Sequence, residues 1–239
     1  MKIIIRLIQI ALIGVIVWSG YTIYHNKVED KKTEERYISL QQKYTQVSSN
    51  KTVRPQFKQL DAVNPDIIGW IHLDATTLNY PILQSKDNED YLKKDFENQY
   101  SRKGSIFMDY RNSPKHEKMN TVIYGHHVGD DTMFDTVEKY LDQSFYNQHK
   151  TMQYDTKYGK YQLEVISAYE TTTEDDYIQT DFSSSKQYEK FLEETLKKSE
   201  ISTTTEINKN DKIVTLSTCE DAYSLSSGRI VVVAKLVEI

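Results

Sequence analysis

The chain has 239 residues and a single cysteine, Cys219. An intramolecular disulfide is therefore excluded, and so is a cysteine-rich zinc site. No internal repeat or long low-complexity segment is present, which excludes a repeat architecture. The 30 basic and 35 acidic side chains leave a formal net charge of −5, so there is no overall electrostatic reason to bind nucleic acid. No Ala-x-Ala-type cleavage site follows the apolar N-terminal segment, and Ser19-Gly20 is a weak substitute for one.

What is present at the N-terminus is an uncharged run, Leu7 to Tyr24, flanked by Lys2 and Arg6. At ~1.5 Å per helical residue it reaches ~27 Å, close to the thickness of a hydrocarbon core. The basic flank predicts a cytoplasmic N-terminus, and Trp18, Tyr21 and Tyr24 suit the opposite interface. Residues 1–25 are thus expected to form a cytoplasmic tip and transmembrane signal-anchor. Residues 26–60 follow as a charged helical stalk with Tyr37, Leu40 and Tyr44 at helical spacing, its apolar stripe leaning on the domain. Ser48-Ser49-Asn50 and Pro55 break this stalk, and a short helix through Leu60 and Val63 is expected after them.

From residue 61 to 239 the pattern is mainly β with helices. Strand-like runs bounded by turn residues cover 67–72, 78–83, 105–109, 121–125, 151–156, 160–169, 212–217 and 229–239. Eight short strands predict a closed or nearly closed barrel. One helix is expected after a cap at Asp131 or Thr132, carrying Met133, Phe134, Val137, Tyr140 and Leu141. A second is expected from Ser184 or Ser185, carrying Tyr188, Phe191, Leu192 and Leu196.

A lone thiol at the end of the run Ile213 to Thr218 is either packed or reactive. A reactive one needs a proton-handling partner, and imidazole is the usual group. Of six histidines, His25 belongs to the membrane edge and His149 to a polar run. His116 sits in a charged loop and is expected to be solvated; His72 is expected on a strand face. His126 and His127 directly follow the strand ending at Gly125, and either suits the role. Metal ligation there has no recognisable zinc spacing, and no cofactor is expected.

Arg229 begins the run after Cys219, and an antiparallel hairpin would set the two side by side on strands about 4.8 Å apart. A guanidinium in that place can stabilise an oxyanion on an attacked carbonyl. The competing use of Arg229 is a salt bridge to Glu220 or Asp221.

Thr215-Leu-Ser-Thr-Cys219, the arginine ten residues later, the Gly125-His126 dipeptide and the N-terminal anchor together resemble the class B sortases. Asn64-Pro-Asp-Ile-Ile-Gly-Trp70, Tyr80-Pro81, Asp87-Asn-Glu-Asp-Tyr-Leu92 and Gly104-Ser-Ile-Phe-Met-Asp109 extend the resemblance from about residue 60 to the C-terminus. It implies a sortase-like seven- to eight-stranded β-barrel over 61–239, with an N-terminal helical extension and a long helix before the cysteine strand. It also implies a cysteine transpeptidase held in the cell membrane of a Gram-positive bacterium, with its catalytic domain outside.

The implied reaction cuts a surface protein at a C-terminal, Asn-Pro-Gln-Thr-Asn-like sorting signal and joins it to a peptidoglycan cross-bridge amine. The resemblance also implies a haem-iron uptake protein as cargo, which members of the class often serve. By resemblance Cys219 is the nucleophile, His126 rather than His127 manages the proton because it follows glycine, and Arg229 positions substrate and oxyanion. Asn88, Leu92, Thr173, Tyr177, Ile178, Ser217 and Glu220 are implied to line the substrate groove. An unperturbed thiol (~8.5) and imidazole (~6.5) would leave only a minority of molecules as thiolate and imidazolium. The alternatives are a membrane-anchored cysteine protease using water, or a non-catalytic wall-binding module.

Overall fold

Among the described residues, short runs rich in β-branched and aromatic residues form eight strands whose outer members pair to close a barrel. The computed structural model describes residues 2–45, 55–219 and 228–239. The strands are β1 (Ile67–His72), β2 (Asn79–Leu83), β3 (Ile106–Met108), β4 (Asn120–Gly125), β5 (Thr151–Thr156), β6 (Lys160–Thr172), β7 (Ile213–Cys219) and β8 (Gly228–Glu238). Their order around the barrel is β1-β2-β3-β4-β7-β8-β6-β5. β2 with β3 and β4 with β7 pair in parallel; the other neighbours are antiparallel.

Burial follows position in this order. β5 alternates exposed and buried residues, as a strand with one solvated face does. Val122, Ile123, Val214, Leu216, Val231 and Val232 in the β4-β7-β8 segment are all buried. A long crossover joins the parallel strands β4 and β7, and a 14-residue helix within it, α5 (Ser185–Lys198), seals one side. Ser184 caps it, its side chain accepting from the Gln187 N–H, and Lys197 and Lys198 lie in the last turn. Tyr188 and Leu192 from α5 pack with Ile166, Tyr169, Tyr177, Ile213, Val231 and Val233. The helix expected from Ser184 or Ser185 is thus present at that place.

The helix expected from Asp131 or Thr132 is not. The chain makes instead three short turns of helix: α3 (Asp135–Glu138), a 3-10 turn (Lys139–Leu141) and α4 (Gln143–Gln148). Asp131 and Met133 have φ of 63° and 52°, values outside the helical region. The loop is organised by the Asp135 carboxylate, which accepts from the N–H groups of Val128, Asp130 and Thr132 at 2.5, 2.8 and 3.2 Å.

Residues 1–42 and 43–239 form two compact units. α1 (Lys2–Thr45) is one 44-residue helix, with no break at the expected boundary near residue 25. Its apolar N-terminal part exposes Leu7, Ile10, Ile13, Ile16, Val17 and Trp18, and it is long and apolar enough to cross a membrane. The expected breaker Ser48-Ser49-Asn50 lies outside the described residues. α2 (Pro55–Val63) occupies the place of the second short helix; proline is tolerated at a first helical position.

Candidate active site

Three strand ends meet on one rim of the barrel, and topology puts them there. β4 and β7 are parallel, with Gly125 opposite Thr218 as the last rung; the next residues along the two chains are His126 and Cys219. β8 runs the other way, so its beginning lies at the same rim, and the register pairs Cys219 with Arg229. The hairpin geometry expected from the spacing is therefore the geometry found.

The residue before His126 has to be glycine for a packing reason. A Cβ at Gly125 would lie 2.7 Å from the ring of Phe134, a side chain with no exposed surface. Phe134 in turn donates its N–H to the His126 carbonyl at 3.0 Å. The backbone of His126 is thus fixed on one side by the ring beneath it and on the other by β4.

The His126 ring is fixed by a second element. Its Nε2 lies 2.9 Å from the Leu92 carbonyl oxygen, and a carbonyl only accepts, so Nε2 carries the proton and Nδ1 is the nitrogen left to exchange one. The Leu92 carbonyl comes from a 3-10 turn, Asp90–Leu92, and the chain entering it is held by Asp87, whose Oδ1 accepts from the Glu89 and Asp90 N–H groups at 3.0 and 3.1 Å. Gly104, at φ +58°, packs against this turn so closely that a Cβ would sit 2.6 Å from the Tyr91 carbonyl oxygen and 2.7 Å from that of Leu92. Tyr91 is tied to the turn between α2 and β1 by Asn64 and by Asp66, whose Oδ2 accepts from the Tyr91 hydroxyl at 2.7 Å. The segments around Asn64, Asp87 and Gly104 thus have a common physical purpose, which is to hold one carbonyl against one imidazole.

Burial pushes the His126 imidazole below its ordinary 6.5; the Leu92 bond works against this and the nearby Arg229 charge adds to it, leaving the net direction downward. At neutral pH His126 is therefore mainly uncharged.

A cavity of about 240 Å3 opens beside these strand ends. Of the residues expected around a groove, Asn88, Leu92, Thr173, Tyr177, Ile178 and Ser217 line it together with His126 and Arg229. Glu220 lies outside the described residues, as does Asp221. Tyr177 is held to β7 by a hydroxyl contact with Ser217 at 2.9 Å. Arg229 donates from Nη1 to the Gly228 carbonyl at 2.5 Å.

His72, His116, His127 and His149 do not line this cavity. His127 Nε2 is 2.9 Å from Glu138 Oε2 and 3.7 Å from Asp135 Oδ1, so the adjacent imidazole serves the α3 loop. His72 is on β1, with Nε2 3.6 Å from Asp74, and His149 stacks on Phe145 at the end of α4. His116 corrects the expectation of a solvated loop residue. It is 3 % exposed, its Nδ1 lies 3.0 Å from Thr121 Oγ1, and it meets Tyr154 and Tyr161 edge-on at 5.3 and 4.8 Å. The charged neighbours Lys115, Glu117 and Lys118 masked a buried ring.

Tyr124, Phe107, Asp175 and Thr218 also line the cavity and were not foreseen. Nor was Asp109, which has no exposed surface and accepts from Arg111, Asn88 and Tyr124 just past β3. Burial raises its carboxyl, but the Arg111 guanidinium and backbone N–H and the Tyr124 hydroxyl outweigh that and hold it below the usual carboxylate range. The available signal was an acid and an arginine two residues apart at a strand end.

Comparison with known proteins shows the family and the fold. Residues 71–237 match the Sortase domain family. The chain is 53% identical, over 100% of its length and 99% of the relative, to Sortase B of Staphylococcus aureus (strain NCTC 8325 / PS 47). It also superposes on the S. aureus sortase B-substrate complex with a TM-score of 0.86 at 55% identity, covering 89% of this chain and 99% of the other. Sortase B complexed with triglycine gives a TM-score of 0.84 at 55% identity, with 88% and 99% covered.

Proposed function

This chain belongs to the sortase family as a class B cysteine transpeptidase, and from that membership we propose that Cys219, His126 and Arg229 carry its chemistry. The observation that carries the reading is the meeting of β4, β7 and β8 at one rim, with Cys219 opposite Arg229 and His126 next beyond the Gly125–Thr218 rung.

In the proposed reaction the Cys219 sulfur attacks the carbonyl carbon of the threonine in a sorting signal, and its proton passes to Nδ1 of His126. Negative charge gathers on the former carbonyl oxygen, where the Arg229 guanidinium donates to it. The peptide C–N bond then breaks, the leaving nitrogen takes the proton from His126, and a thioester joins the substrate to the enzyme. An acceptor amine attacks the thioester, gives a proton to His126 and forms a new amide; the thiolate leaves and is reprotonated. No net redox change occurs, and the energy of the first amide bond is conserved in the thioester until the second forms.

The substrate proposed is a surface protein with an Asn-Pro-Gln-Thr-Asn-like C-terminal signal, as in haem-iron uptake proteins, and the acceptor is a peptidoglycan cross-bridge amine. The substrate and triglycine complexes of related sortase B structures support a peptide donor and an amine acceptor. Asn88, Leu92, Thr173, Tyr177, Ile178, Ser217 and Glu220 are proposed to hold the signal. Residues 1–25 are proposed as the anchor with the N-terminus inside, 26–60 as the stalk, and 61–239 as the catalytic domain outside; the supporting features are the apolar part of α1 and its basic flank.

Intact-mass measurement of the enzyme mixed with a signal peptide tests the assignment. A covalent adduct of the mass of the acyl fragment is expected with the native chain and none with Cys219→Ala. An adduct of the same mass on Cys219→Ala would sink it.

A further inference from the structure

One ion pair, between a buried carboxylate and a guanidinium that is 33 % exposed, ties both walls of the cavity together, although neither member is among the three groups assigned to the chemistry. Asp109 Oδ1 accepts from the Arg111 N–H and Nε, both at 2.8 Å. Its Oδ2 accepts from Arg111 Nη2 at 2.7 Å, the Tyr124 hydroxyl at 2.8 Å and Asn88 Nδ2 at 3.0 Å. Asn88 and Tyr124 line one wall of the cavity. Arg111 Nη2 also donates to the Ile178 carbonyl at 3.1 Å, and Ile178 lines the wall supplied by the loop between β6 and α5.

A half-buried ion pair of this kind contributes little net stability, because desolvation of the carboxylate offsets the attraction. What it does fix is geometry, because a guanidinium is a rigid fork. Asn88 shows the consequence. Its Nδ2 is committed to Asp109 and its Oδ1 accepts from the Tyr110 N–H at 3.0 Å, so the amide cannot flip. One Nδ2 hydrogen remains after that bond, which suits an acceptor such as a backbone carbonyl of an extended peptide.

We propose that Asp109 and Arg111 are a positioning pair that sets the separation of the two walls and the direction of the Asn88 amide, and thereby the affinity for the donor peptide. The proposal rests on the transpeptidase reading for the identity of that peptide. Beyond each other, the pair bonds Asn88, Tyr124 and the Ile178 carbonyl, so it is assigned to binding and not to the reactivity of Cys219.

Arg111→Ala would strand a buried carboxylate and is expected to misfold. Arg111→Lys and Asp109→Asn are the informative variants, since a lysine can neutralise Asp109 but cannot also hold the Ile178 carbonyl. In a Cys219→Ala background, binding of a fluorescent peptide containing Asn-Pro-Gln-Thr-Asn is expected to weaken about tenfold for each. In the active background KM should rise by a similar factor with kcat within about threefold. The rate of Cys219 alkylation by iodoacetamide should match the native rate. Peptide affinity within about twofold of native for both variants would overturn the proposal, and so would an equal loss of affinity and alkylation rate, which would make the pair a general brace of the fold. The failure of the transpeptidase reading itself shows separately, as native protein that is alkylated yet forms no acyl adduct.

Discussion

The Nε2 of His126 donates to the carbonyl oxygen of Leu92 at 2.9 Å, so the group that orients the His126 imidazole is a backbone atom. Many nucleophile and base pairs rely on a carboxylate or amide side chain for that purpose. A carbonyl dipole fixes the tautomer with no full negative charge beside the ring, which fits an imidazole whose affinity for a proton is lowered and not raised.

The protonation of His126 is directly measurable. Nitrogen NMR of the neutral ring is expected to show the proton on Nε2, and titration should give a midpoint below 6.5. Arg229→Gln removes a positive charge that opposes protonation, so the midpoint should move up in that variant. A proton on Nδ1 in the neutral ring, or a downward shift in the variant, would contradict the geometry described.

Gly104→Ala tests the support of the Leu92 carbonyl. A φ of +58° costs a non-glycine residue about 1–2 kcal/mol, and the added Cβ would meet the Tyr91 carbonyl oxygen at 2.6 Å. Chemical denaturation should show that loss of stability. The rate of acylation should fall further than the unfolded fraction explains, because the carbonyl that aims His126 has to move. Native acylation by a folded Gly104→Ala protein would show that the turn does not aim the ring.

His116 makes a pH signature of its own, remote from the reaction. Burial, with a smaller contribution from the Lys212 charge, lowers its pKa to about 4, against 6.5 in the unfolded chain. Between these values the unfolded state binds one more proton than the native state, so the native protein loses stability as pH falls, by about 3 kcal/mol across the window. His116→Gln lacks this term. The stability difference between native and variant protein should therefore shift in favour of the variant as pH drops from 6.5 to 4. A difference independent of pH would place the native pKa near the ordinary value.

Strands were legible because β-branched and aromatic runs end at turn residues, and the Cys219–Arg229 pairing was legible because a short connection between two strands predicts a hairpin. Order around the barrel was not. β4 and β7 are distant in sequence and parallel, and nothing local in either strand names its partner; yet that pairing brings His126 to Cys219. His116 was hidden by charged neighbours, while its ring turns inward under Tyr154 and Tyr161. Local patterning also failed around Asp131, where two left-handed residues and the Asp135 carboxylate shape a loop from what reads as helix. Asp109 and Arg111 were visible as residues, but their use depends on Asn88 and Ile178, which sequence spacing does not bring near.

Transfer of an acyl group by Cys219 from a peptide to an amine is read most directly in the product of a labelled Asn-Pro-Gln-Thr-Asn peptide. The peptide is incubated with triglycine and the full chain, and the products are weighed by mass spectrometry. A new amide joining the fragment that ends in threonine to triglycine is predicted, formed by the native chain and absent with Cys219→Ala. A hydrolysed fragment alone at saturating triglycine, or a ligated product made by Cys219→Ala, would contradict it.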